Sequence, residues 1–248
     1  MITSGFSGAQ YFTRGLAMVK QKGIRKFVFF PLLINFLLLA GAAVWIFSRL
    51  SDWKQAIYDA SWEWVQWVFD YMGWLIWPIF TLVIILSIFY AFAILANWIA
   101  APFNGLLSEA VEKKIAGKDY DGLDMTAGEV VKDLPRLLGR EWHKFKYWLP
   151  KALICLVLFI VPGLNLIAPI IWILFSAWMM CIQYVDYPQD NRKRPFEHTL
   201  ELLRQNRSGP MGFGLVIVFF TMIPVVNILV MPVAVAGATI MWFEQYKN

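Results

Sequence analysis

Charge is scarce in this chain, and so is the chemistry that usually accompanies it. Only 16% of its 248 residues are Asp, Glu, Lys or Arg, where a soluble domain carries about 25%. The two histidines, His143 and His198, stand apart in charged stretches and read as solvated imidazoles. The two cysteines, Cys155 and Cys181, both lie inside apolar runs, so they read as small core residues and not as a disulfide or redox pair. No Walker-type phosphate loop, G-x-S-x-G, H-E-x-x-H or C-x-x-C occurs. These absences argue against an enzyme and give no reason to expect a cofactor or a metal. No basic patch stands apart from the apolar runs, so nucleic acid is not an expected partner.

What is abundant is apolar surface. Hydrophobic residues make up 59% of the chain, against about 45–50% in soluble domains. They concentrate in four blocks, 27–47, 74–101, 149–185 and 211–243. Runs of about 18 or more apolar residues read as membrane-inserted segments. The first block is too long for a signal-peptide core and lacks a small-residue cleavage site. Many of the 13 Trp fall near block edges, where interfacial anchors belong. The fold class expected is an all-α integral membrane protein.

Lys and Arg set the orientation. Before the first block stand Arg14, Lys20, Lys22, Arg25 and Lys26. The 102–148 and 186–210 connections are also rich in cations, whereas 48–73 has only Arg49 and Lys54 against four acids. The N-terminus, 102–148, 186–210 and the C-terminus are therefore expected in the cytoplasm, and 48–73 outside. Two long transmembrane helices, 27–47 and 74–101, would form an out-and-back pair. The tryptophan-rich connection 48–73 reads as a short amphipathic helix on the outer surface. The 102–148 segment reads as cytoplasmic and mostly helical.

The blocks 149–185 and 211–243 each begin and end on a positive side and share a punctuation. One reads Pro162-Gly163-Leu164-Asn165 and then Pro169; the other reads Pro224-Val225-Val226-Asn227 and then Pro232. The arms before these turns hold about 11–13 residues, or roughly 16–20 Å, short of a hydrocarbon core of about 30 Å. Two helical hairpins half-inserted from the cytoplasmic side are expected, with full crossing in a thinned bilayer as the alternative.

Two groups of residues suit an anion. Gly23-Ile24-Arg25-Lys26 precedes the first block, where Gly23 allows unusual dihedrals and a helix start offers free N–H groups beside two cations. Topology and lipid headgroups explain the same cations. The second group is Arg136, Arg140 and Lys144, spaced by four on one helical face, with Glu141 adjacent and Glu109 and Glu112 on the preceding helix. These could line an anion path or form a solvated basic stripe. Asn35, Asn97 and Asn104 could serve as interhelical glue.

Several strings then resemble the CysZ sulfate permease family. They are Gly23-Ile24-Arg25-Lys26-Phe27, Pro31-Leu32-Leu33-Ile34-Asn35, Pro102-Phe103-Asn104-Gly105-Leu106-Leu107, Arg140-Glu141-Trp142, Phe175-Ser176-Ala177-Trp178, Asp186-Tyr187-Pro188 and Met231-Pro232-Val233-Ala234-Val235. They run in order from about residue 5 to 245. The resemblance implies sulfate uptake across a bacterial inner membrane to supply cysteine biosynthesis, long transmembrane helices with hemi-penetrating hairpins, and a homo-oligomer in contact with membrane lipid. It also implies a sulfate-binding segment at Gly23, Ile24, Arg25 and Lys26. Lys26 stands where Arg can occur, and an ammonium binds as a point charge without the two-pronged geometry of Arg. Transport could be channel-like or proton-coupled, and sulfite or related oxyanions could share the path. A membrane scaffold or regulator that transports nothing is the rival from another class.

Overall fold

The computed structural model describes residues 3–122 and 127–247. Nine α-helices and no strand occur among them: α1 Thr3–Val19, α2 Lys26–Asp59, α3 Glu63–Ala116, α4 Ala127–Lys132, α5 Leu134–Ile160, α6 Ala168–Asn191, α7 Phe196–Gln205, α8 Ser208–Thr221 and α9 Pro224–Gln245. The chain is an all-α membrane protein. Among the described residues four helical stretches are long and apolar enough to cross a bilayer: Lys26–Asp59, Glu63–Ile88, Ala168–Asn191 and Val225–Gln245. The chain divides into two compact units, 29–101 on the one hand and 1–28 with 102–248 on the other.

In the 29–101 unit, α2 and α3 form a helical hairpin. The expected amphipathic helix over 48–73 does not exist as a separate element. Instead α2 runs on to Asp59, and α3 starts at Glu63. No proline or glycine interrupts 48–60, and Arg49–Asp52 and Gln55–Asp59 pairs support continued helix at spacings of three and four. The turn is held by Gln66, whose amide donates to the carbonyls of Tyr58 (3.0 Å) and Ser61 (3.1 Å). Tyr58 in turn donates its hydroxyl to Asp70. Phe36, Val44, Trp45, Trp67, Tyr71, Trp74 and Leu86 are all exposed. Large apolar side chains turned outward along whole helices suit a lipid surround.

The other unit holds the core. Helix α1 is packed closely against α8 and α9 through glycine. A Cβ at Gly8 would stand 2.1 Å from the Gly209 carbonyl oxygen, and one at Gly15 would stand 2.3 Å from that of Val233. Gly214 of α8 brings the same close approach to Ala177 of α6. Phe12 stacks on Phe220 at 4.9 Å. Around these crossings Cys181, Ile182, Val185, Phe213, Ile217, Ala234 and Met241 are fully buried, so Cys181 is the small core residue its context indicated. Cys155 is buried and unpaired as well.

The two P-x-x-N strings fold differently. Pro162 and Gly163 make an open turn, Gly163 with φ of 84°, followed by a single 3-10 turn over Leu164–Leu166. Pro224 instead opens helix α9, and the Asn227 N–H donates to the Ile223 carbonyl within its first turn. Proline's fixed φ suits either a turn or a first helical position. Gly163 can take the left-handed conformation, whereas β-branched Val225 resists it. The conformational counterpart of Pro224 is therefore Pro169, in the first turn of α6.

Helix α5 also departs from the expected boundary at 148/149, since it runs unbroken through Pro150 to Ile160. One exposed apolar face links its two halves: Leu138, Trp142, Phe145, Leu149, Leu153, Leu156 and Ile160, at steps of three and four.

Candidate functional site

The turn between α1 and α2 is anchored on both sides. Ile24 is buried in the core and fixes the middle of the turn. The Gln21 carbonyl accepts the N–H groups of both Ile24 and Arg25, at 3.2 Å each. The Lys22 carbonyl accepts Lys114 Nζ of α3 at 3.2 Å. Gly23 takes φ of 90°, with open space where a side chain would stand. Arg25 and Lys26 are exposed, and neither enters an ion pair among the described residues. Lys26 leans over the Phe27 ring at 5.0 Å. The result is an anchored turn with two cations that enter no ion pair among the described residues and an open backbone at Gly23, features that suit an oxyanion.

The second group has a different character. Arg136, Arg140 and Lys144 do share one face of α5, but that face is turned inward against α6. Arg140 Nε donates to Asp186 Oδ2 at 2.7 Å and Nη2 to Oδ1 at 2.5 Å. Lys144 Nζ stands 2.9 Å from Asp186 Oδ2 and 2.7 Å from Glu141. Thr199 of α7 donates to Asp186 at 2.8 Å. Arg136 bridges Asp133 and Asp190, and Lys193 closes onto Asp133. Arg140 also donates to the Arg194 carbonyl at 2.5 Å. Four cations thus meet four carboxylates, and the basic face is neutralised.

The charges in this network hold one another. Burial opposes the Lys144 charge, but Asp186 and Glu141 outweigh it and raise the ammonium above its ordinary value. Hydrogen bonds from Arg136, joined by Lys193, hold the Asp133 carboxyl down at about 2 despite partial burial. An anion path along this face would have to break these pairs, which buried charges resist. Glu109 lies outside the network and pairs with Lys113 on its own helix at 2.6 Å.

A separate cluster joins α3 to the chain's end. Arg192 bonds Glu112 at 2.5 Å and Asp121 at 2.6 Å, and Lys247 reaches Asp121 at 2.8 Å. Arg192 and Lys247 hold the exposed Asp121 carboxyl well below the usual range. Asn104 does act between helices, donating to Tyr187 of α6 at 3.2 Å. Ser108 and Thr239 meet at 2.9 Å. Asn35 Oδ1 has no partner among the described residues, and the Asn97 side chain lies outside them.

Spacing along α5 shows the cations but not the counterions that lie on another helix. Asp186 and Asp190 are spaced by four on α6, as Arg136 and Arg140 are on α5, and that matching interval was the available signal. The Lys114–Lys22 contact, 92 residues apart in sequence, had none.

Residues 11–232 match a family model described as sulfate transporter CysZ/etoposide-induced protein 2.4. The matched span takes in the turn, the ion-pair network, the first hairpin and the second as far as Pro232.

Proposed function

We propose that this chain, which belongs to the sulfate transporter CysZ/etoposide-induced protein 2.4 family, carries sulfate across a bacterial inner membrane into the cytoplasm. It feeds cysteine biosynthesis, and sulfite or related oxyanions compete for the same path. The observation that carries this reading is the family match, which spans most of the chain. The site is Gly23, Ile24, Arg25 and Lys26. Arg25 supplies a two-pronged donor, Lys26 a point charge, Gly23 an open backbone and Ile24 the anchor. The contrast between the two basic groups supports this choice. The cations of α5 are occupied by aspartates, whereas Arg25 and Lys26 face outward.

Weak, scattered cations suit passage, because a conduction site must also release its ion. The chain transports without hydrolysing nucleotide, by a channel-like or proton-coupled route, and works as a homo-oligomer in contact with lipid. In this reading both termini lie on the cytoplasmic side. Support comes from α1 and the end of α9 being clasped together: Arg14 bonds Glu244 at 2.5 Å and 2.8 Å, and Tyr11 bonds the same carboxylate at 3.1 Å.

The deciding experiment is radiolabelled sulfate flux into liposomes holding only the purified protein, with sulfite, thiosulfate and phosphate as competitors. Flux above empty liposomes is expected, diminished in the Arg25→Ala/Lys26→Ala double variant. No flux under any voltage or proton gradient would favour a scaffold or regulator instead.

A further inference from the structure

The structure assigns Lys114 as a positioning residue for the oxyanion turn. The assignment rests on the proposed site at Gly23–Lys26 and names a residue that the site's own segment does not contain.

Lys114 Nζ donates to the Lys22 carbonyl oxygen at 3.2 Å. That carbonyl belongs to the same planar, trans peptide as the Gly23 N–H, so the two groups point in opposite directions. Holding the oxygen toward α3 therefore aims the Gly23 N–H away from it. The N–H groups of Ile24 and Arg25 are both spent on Gln21, whereas that of Gly23 has no backbone acceptor among the described residues. An ammonium on the carbonyl end of a peptide also polarises its N–H, since linked hydrogen bonds strengthen one another. With φ of 90° and open space on the Cα, the Gly23 amide is both reachable and sharpened as a donor.

Lys114 removes a liability as well. An unpaired carbonyl oxygen beside a bound oxyanion repels it. Here the carbonyl is covered by a cation, and the turn presents donors. Lys22, Arg25 and Lys26 add charge on the same short segment. Lys114 itself touches no ion; it acts through the Lys22–Gly23 peptide.

Lys22–Gly23 is the only Lys-Gly step in the sequence, so carbonyl-13C lysine with 15N glycine isolates this one amide in an NMR spectrum. In the full-length protein in nanodiscs, its proton should move downfield saturably as sulfate is added. Lys114→Met should shrink that movement and weaken sulfate binding by about tenfold. In liposomes it should raise the half-saturating sulfate concentration and leave the maximal rate unchanged. Lys114→Arg should restore all three readouts, because a guanidinium can still hold the carbonyl. Wild-type binding and amide response in Lys114→Met, while Arg25→Ala/Lys26→Ala is impaired, would overturn the role of Lys114 alone. Wild-type binding in both variants would overturn the site itself. Equal loss in Lys114→Arg and Lys114→Met would also overturn the positioning role.

Discussion

Arg140 and Asp186 form a two-pronged ion pair between α5 and α6, at 2.5 and 2.7 Å, with the aspartate only 1% exposed. Lys144 and Thr199 share the same carboxylate. One aspartate on α6 therefore satisfies donors from two other helices, α5 and α7.

Asp186→Asn should be among the most damaging single changes in this unit. It leaves Arg140 and Lys144 buried with their main counterion gone, and breaking a buried pair costs about 3–5 kcal/mol. Thermal unfolding in detergent should show a large loss. Adding Lys144→Met to Asp186→Asn should recover part of it, because one uncompensated charge is removed. An unchanged melting temperature in Asp186→Asn would mean that the network carries no stability.

Acid should loosen the same region. Arg136 foremost, with Lys193, lowers the Asp133 carboxyl from 3.8 to about 2. A depressed carboxylate contributes stability that is present above its unfolded value and lost as pH falls through the folded one. The window is therefore about pH 4 down to about 2, and the contribution is at most about 2 kcal/mol. The exposed Asp121, lowered by Arg192 and Lys247, adds in the same direction. Asp133→Asn should flatten the decline in unfolding temperature over that window.

Helix contact through glycine gives a sharp comparison. Gly214→Ala would place a methyl 1.9 Å from the Ala177 backbone oxygen, and backbone on both sides cannot yield without separating α8 from α6. A loss of several kcal/mol is expected, on the scale of overpacked cores. Gly41 on α2 has nothing within 4 Å of its added Cβ. There alanine should be neutral, or stabilise by about 0.5–1 kcal/mol through helix propensity. Equal melting temperatures for the two variants would contradict the packing.

The contrast between these sites shows which information the sequence carried. Apolar blocks and cation asymmetry fix the membrane class, because they are local and repeat over many residues. The basic turn before α2 was legible for the same reason: Gly23, Arg25 and Lys26 lie within four residues of one another. The facing of α5 was not. Its cations and its Trp142–Phe145 stripe have the same helical period, so periodicity alone cannot say which face turns inward. Asp186 and Asp190, 46 and 54 residues further on, decide that by pairing. Likewise the P-x-x-N repeat marks two breaks in helix, yet glycine after one proline and valine after the other give a turn in the first case and a helix start in the second.

The aromatic cluster on α5 and the lengths of the short arms set the expectation for how deep the hairpins reach. Trp142 stacks on Phe145 at 5.3 Å and Phe145 meets Trp148 at 5.9 Å, with Lys146 over Trp142. Such a cluster belongs at the headgroup level. From Trp148 to the helix end at Ile160 is roughly 18 Å at 1.5 Å per residue. Helix α8, with 14 residues, is roughly 21 Å. Both fall short of a hydrocarbon core of about 30 Å. Helices α6 and α9 are each long and apolar enough to cross, so the short arms α5 and α8 set how deep each hairpin can reach. Half-insertion is thus the expected arrangement. Leu166 and Val225, near the two tips, are 80% and 79% exposed and tolerate a probe. Cysteine at either position should resist a membrane-impermeant maleimide added from outside, while cysteine at Ser61 in the α2–α3 turn should react. Rapid labelling at Leu166→Cys or Val225→Cys from outside would show that the hairpin crosses.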